Sequence, residues 1–89
     1  MGVKEDIRWL KEVDERVDLF VHIAKRGPLH VRELKKFLSS DDWWPTKHHV
    51  NSLTGRGLIE ERTNEGYAIT ESGEKVFESL KTVYDIESI

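Results

Sequence analysis

Apolar residues recur along this chain at two spacings, and the switch between them divides it into elements. From Val3 to Lys25, the residues Ile7, Leu10, Val13, Val17, Phe20, Val21 and Ala24 step by three and four, with charged side chains opposite them. That is the pattern of amphipathic helix. Asp14 interrupts it, and aspartate is a strong N-cap residue, so the stripe is expected to split into a short leading helix around Glu5–Lys11 and a second helix starting at Glu15. Gly27-Pro28 is expected to close this second helix, glycine as a left-handed C-cap and proline because it cannot continue the ladder.

A third helix is expected from about Val31 to Leu38, with Val31, Leu34 and Leu38 inward and Arg32, Lys35 and Lys36 outward. Glu33 stands where a capping-box acid would reach back to His30, although histidine is an unusual cap. The segment Ser39-Ser40-Asp41-Asp42-Trp43-Trp44 then forms a connection longer than the turn of a minimal helix-turn-helix. Asp42 and Trp44 are both candidates to cap the fourth helix, and of the two tryptophans one is expected in the core and one on the surface.

That fourth helix is expected from Pro45, whose fixed φ suits a first helical turn, to Arg56, with Gly57 as its stop. Thr46, Val50 and Leu53 share one face, while Lys47, His48, Asn51, Ser52 and Gly55 fall on the other. The second face holds donors and donor/acceptors of modest length, without an acid or a large apolar residue. That chemistry suits contact with phosphates and base edges, so the segment at about 45–56 reads as a DNA recognition helix. Beyond it the spacing changes to that of strands. Leu58–Thr63 and Tyr67-Ala68-Ile69-Thr70 form a hairpin around Asn64-Glu65-Gly66. Thr70 is expected to cap a last helix with the stripe Val76, Phe77, Leu80, Val83 and Tyr84, continuing toward Ile86 and Ile89.

Composition narrows the picture. With 89 residues, 37% of them hydrophobic, the chain supports one small core, so a single domain over residues 1–89 is expected. Cys 0 removes disulfides and thiolate metal sites and suits a reducing cytoplasm. Neither a signal peptide nor a membrane span is legible, and Asp6 stands where a myristoylation signal wants Ser or Thr. The net charge of -3 opposes a nucleic-acid partner only as a total. Residues 21–36 carry five basic side chains, Lys25, Arg26, Arg32, Lys35 and Lys36, against the single acid Glu33, while acids gather toward both ends.

The order helix, helix, turn, helix, hairpin, helix resembles that of winged helix-turn-helix transcription regulators. Leu53-Thr54-Gly55-Arg56-Gly57-Leu58-Ile59 is similar to the end of that family's third helix, and Thr70-Glu71-Ser72-Gly73 to the Thr-x-x-Gly at the head of its last helix. Trp9-Leu10-Lys11-Glu12-Val13-Asp14-Glu15-Arg16-Val17 resembles the opening of small archaeal regulators related to a haloarchaeal phage repressor. The likeness spans roughly Trp9 to Leu80. It implies a mainly α fold with a three-helix core, a two-stranded wing and an extra terminal helix. It also implies that Lys47, His48, Asn51 and Ser52 face the major groove, Arg32, Lys35 and Arg56 the flanking phosphates, and Arg62 the minor groove or backbone. The acidic, expanded connection at Asp41 and Asp42 and the single base of the wing depart from that pattern.

The expected function is therefore a sequence-specific, double-stranded DNA-binding transcription regulator, a repressor by its resemblance. It is expected to act in the cytoplasm as a homodimer, because two apolar terminal helices exceed what so small an interior can cover. The alternative is a winged-helix module that docks on other proteins. No nucleophile elbow, phosphate loop, paired carboxylates or H-x-x-x-H spacing is present, so neither an enzyme nor a cofactor or metal site is expected. Adjacent His48 and His49 diverge by about 100° on a helix and do not easily share a metal ion. Histidine on a DNA-facing helix gains charge near pH 6.5. Affinity for duplex DNA should consequently rise as pH is lowered from about 8 to about 6 in a binding titration, and His48→Gln should flatten that response.

Overall fold

The structure, a computed structural model, describes residues 2–37 and 43–83. Five helices and a hairpin succeed one another in the order α1 (Val3–Lys11), α2 (Asp14–Arg26), α3 (Val31–Phe37), α4 (Trp43–Gly55), β1 (Ile59–Arg62), β2 (Gly66–Ile69) and α5 (Glu71–Val83). This is a small winged helix. α2 runs through its middle and packs on α1, α4, α5 and β2, and α1 also lies against α5. Because α2 has neighbours on so many sides, Leu19 and Ile23 are buried as well as the expected Phe20 and Val21. Phe20 is fully buried and meets Phe77 of α5 edge to face, with ring centroids 6.4 Å apart.

The break between the first two helices falls where Asp14 implied, by a different device. Val13 takes the N-cap position in extended conformation (φ -133°, ψ 117°), without a side-chain cap, and Asp14 is the first helical residue. There its charge still favours the positive end of the helix dipole. Gly27 likewise ends α2 without the expected left-handed turn. Its φ is -62° and ψ 162°, and the Gly27-Pro28 peptide is cis. Glycine is required here because a Cβ would lie 2.4 Å from the Ile23 carbonyl oxygen.

Leu29 then makes a bridge to Tyr67. Each N–H donates to the other's carbonyl, at 2.9 and 2.8 Å, adding a one-residue rung beside the hairpin. Such close backbone approach requires Gly66, where a Cβ would stand 2.3 Å from the Leu29 oxygen. β1 and β2 pair antiparallel with Ile59 opposite Ile69 and Arg62 opposite Gly66, and Asn64 takes positive φ in the turn. At α3, the Glu33 carboxylate faces the His30 N–H at 3.5 Å, the loose form of the expected capping box. Leu34 is buried, and Leu38 lies outside the described residues.

Two features bind α4, the hairpin and α5 together. Gly57 has φ 80°, its N–H donates to the Thr54 carbonyl and the Leu58 N–H to the Leu53 carbonyl, a Schellman end with the buried pair Leu53 and Leu58 across it. Thr70 caps α5 by accepting from the Gly73 N–H at 3.0 Å. Its hydroxyl donates to the Gly57 carbonyl at 2.6 Å, and its own N–H donates to the Leu58 carbonyl at 3.1 Å. The glycine of Thr-x-x-Gly is thereby explained, since a Cβ on Gly73 would fall 2.1 Å from the Leu58 oxygen. Gly73→Ala should lower the unfolding free energy by about 1–3 kcal/mol in denaturant titrations, through forced backbone displacement. A stability equal to the parent's would contradict this packing.

Candidate nucleic-acid interface

The inner face of α4 is built from Thr46, His49, Val50 and Leu53, at helical steps of three and four, all of them buried. The helix starts at Trp43, two residues ahead of the expected Pro45. Proline remains acceptable at the third helical position because the first four N–H groups of a helix have no intrahelical acceptor. Trp44 is the surface tryptophan, 70% exposed, and the Trp43 side chain lies outside the description.

The opposite face carries Lys47, His48, Asn51 and Ser52. His48 and Asn51 are exposed, and Lys47 and Ser52 are half-buried. The Lys47 ammonium stands 5.4 Å from the centre of the Trp44 ring, a cation–π contact at the surface. This face contains no acid, and four side chains that can donate hydrogen bonds project from a helix whose other side is fixed in the core. Such a face can make fork-like contacts to base edges through Asn51 and charge contacts to phosphate through Lys47.

The flanking bases divide into two groups. Arg32 and Lys36 on α3 and Lys25 and Arg26 in the last turn of α2 are exposed, while Lys35 lies on α3 with its side chain outside the description. Arg56 is drawn inward. Its Nε donates to Asp6 Oδ1 of α1 at 2.8 Å, and its guanidinium lies 4.5 Å from the Trp9 ring centre. A second guanidinium, that of Arg16, lies 4.1 Å from the same centre and donates to the Trp9 carbonyl.

On the wing, Arg62 pairs with Glu60 at 3.2 Å, and Glu61 and Glu65 stand near it in the chain. Tyr67, on β2, has its phenol pushed above the usual range, first by burial and then by Glu61 directly across the hairpin. His22, near the basic end of α2, is shifted the other way. Burial and Arg26 lower its pKa, and Glu33 of α3 partly opposes them.

Sequence reasoning missed His49. The steps 46, 49, 50 and 53 place it inward, and the structure sets its Nε2 3.4 Å from Glu15 Oε2 on α2. The two adjacent histidines therefore serve different faces, one tethering α4 and the other turned outward. Among the described residues no group of three or more His, Asp or Glu side chains is arranged to hold a metal ion. No helix among them is long and apolar enough to cross a membrane.

The chain shares its fold with a solved domain. It superposes on the activation domain of the phage T4 transcription factor MotA with a TM-score of 0.73 and 17% sequence identity, covering 98% of this chain and 94% of that one. At that identity the likeness is one of fold. No family model and no curated protein matches the sequence.

Part of the apolar stripe on each terminal helix is covered by the chain itself. Ile7 and Leu10 of α1 and Val76 and Leu80 of α5 are buried within the chain itself. Tyr84, Ile86 and Ile89 lie outside the described residues.

The acids at the start of α2 repel one another. Asp18 has its carboxyl raised above 3.8, first by burial and then by Asp14 and Glu15. A raised carboxyl opposes folding at neutral pH, and the penalty disappears as pH falls below the unfolded value. Asp18→Asn should therefore stabilise the protein at pH 7 by about 0.2–0.5 kcal/mol, the size of a like-charge pair one turn apart. The gain should vanish in melts below about pH 3.8.

Proposed function

We propose that this chain is a sequence-specific double-stranded DNA-binding transcription regulator that works in the cytoplasm and presents α4 to the major groove. One observation carries the reading. The flank of α4 that offers Lys47, His48, Asn51 and Ser52 faces solvent, while Thr46, His49, Val50 and Leu53 hold the other flank in the core. In this reading Asn51 and His48 meet base edges, Lys47 and Ser52 meet the nearby backbone, and Arg32 and Lys35 engage flanking phosphates. The solved domain of similar fold comes from a transcription factor, which supports a regulatory role. Repression results if the bound site overlaps a promoter. Arg62 is paired with Glu60, which offsets its charge, so the wing contributes less than α4 and α3. A homodimer would set two copies of α4 on half-sites about 34 Å apart, and a monomer would protect a single short site.

A second reading has its own support. The acidic wing and the exposed Trp44 are features that also suit docking on another protein, with Trp44 as an anchor. Retention of a partner from native lysate after nuclease treatment, without duplex binding, would favour it.

Titration against duplex from the region upstream of its own coding sequence, at several salt concentrations, tests the main reading. Binding should weaken as salt rises, Lys47→Ala should reduce the logarithmic salt slope by about one, and Asn51→Ala should cost about 1–3 kcal/mol at one base position and relax specificity there. Binding without a salt slope, or unchanged in the Lys47→Ala/Asn51→Ala double variant, would exclude α4 as the reading element. Mass in solution and footprint length then give the stoichiometry.

A further inference from the structure

We infer that Arg56 is a positioning residue, a pin from the end of the recognition helix into α1 that sets how α4 is presented, and not a phosphate ligand. The inference rests on the DNA-binding reading of α4 for its consequence, and on geometry alone for the pin. Arg56 comes directly after α4, and its N–H still donates to the Ser52 carbonyl, so its backbone moves with the helix. Its side chain is 21% exposed and that of Asp6 only 15%, with Nε and Oδ1 2.8 Å apart. Asp6 and Trp9 are three residues apart on α1 and so lie on one face of it. That face presents a carboxylate and an aromatic ring together, a receptor for a planar guanidinium that a lysine would fill poorly. The Arg16 guanidinium lies on the same Trp9 ring and donates to the Trp9 carbonyl, which holds the ring from α2.

α4 is thus tied to two different helices by polar contacts between residues far apart in sequence. His49 reaches Glu15 of α2, and Arg56 reaches Asp6 and Trp9 of α1. Seven residues separate the two ties, about 10 Å along a helix. One tie would leave α4 free to swing about it. Two ties, with the Schellman end at Gly57, define both its rotation and its tilt, and Asn51 and Ser52 lie between them. For the guanidinium to meet a phosphate it would have to leave the carboxylate and the ring, both largely shielded from water. Breaking such a pair is costly because it leaves a poorly solvated charge without its partner.

The two roles predict opposite signs for one substitution. If Arg56 positions α4, Asp6→Asn weakens DNA binding, because the pin is loosened. If Arg56 is a phosphate ligand held back by Asp6, the same change releases it and binding tightens. The experiment measures duplex affinity against salt for the parent, Asp6→Asn, Arg56→Gln and Arg56→Lys, with thermal melts to confirm that each is folded. In parallel it records the backbone amide resonances of residues 47–52 in the DNA-free proteins.

The expected result is a loss of affinity on the order of 3- to 30-fold in all three variants, with the parental salt slope retained in Arg56→Gln. Amide shifts across residues 47–52 are expected without DNA. Tighter binding by Asp6→Asn, a salt slope reduced by about one in Arg56→Gln, or parental affinity in both would overturn the inference. If the parent binds no duplex at all, the DNA reading fails by itself. The amide shifts then decide the pin, and resonances of residues 47–52 unmoved in both Asp6→Asn and Arg56→Gln would discard it.

Discussion

The junction at Thr70 is the constraint on which the remaining geometry depends. One side chain and one N–H join the end of α4, the start of β1 and the start of α5 by accepting from Gly73 and donating to the carbonyls of Gly57 and Leu58. The three elements approach so closely that only glycine fits at Gly73, and the helix end they share turns at Gly57 with positive φ. Each contact is local and modest in net energy. Together they leave α4 no freedom to slide along its axis, because its last carbonyls are engaged and Leu58 is buried immediately beyond them.

From that junction comes the division of α4 into two faces. Its inner face joins the core through Val50 and Leu53, and His49 adds a polar tie to Glu15. Its outer face leaves His48 and Asn51 exposed and Lys47 and Ser52 half-buried, with Lys47 in contact with the Trp44 ring. The charges around it are unevenly placed. Exposed bases stand on α3 and at the end of α2, whereas the wing combines Glu60, Glu61 and Glu65 with an Arg62 already paired. The side chains that favour a polyanion are carried by the helices, whereas those of the hairpin are mostly acidic.

Much of this architecture was legible in residue spacing. The split between α1 and α2, the apolar positions buried on α4, the stop at Gly57, the hairpin turn and the cap at Thr70 are all consequences of periodicity and turn chemistry. The departures have physical reasons. Leu19 falls off the three-and-four stripe, and Ile23, three residues after Phe20, widens it, because α2 is surrounded and a central helix buries more than one stripe. Gly27 signals a helix end but does not reveal which conformation ends it, since both an αL cap and a steric conflict with a carbonyl select glycine. The Leu29 rung is a single residue and has no period of its own. The same limit applies to charge: spacing shows that Arg56 comes after α4, but only the tertiary arrangement shows that Asp6, fifty residues earlier, meets it.

The four outer side chains of α4 project from a backbone whose conformation is determined elsewhere, by the buried flank and the glycine-lined junction. Replacing them alters the chemistry of that surface while leaving the scaffold's folding determinants intact. A lineage built on this plan can change its outward chemistry by drift at a few positions and retain its shape throughout. In such a lineage, shared architecture is a poor guide to shared surface properties.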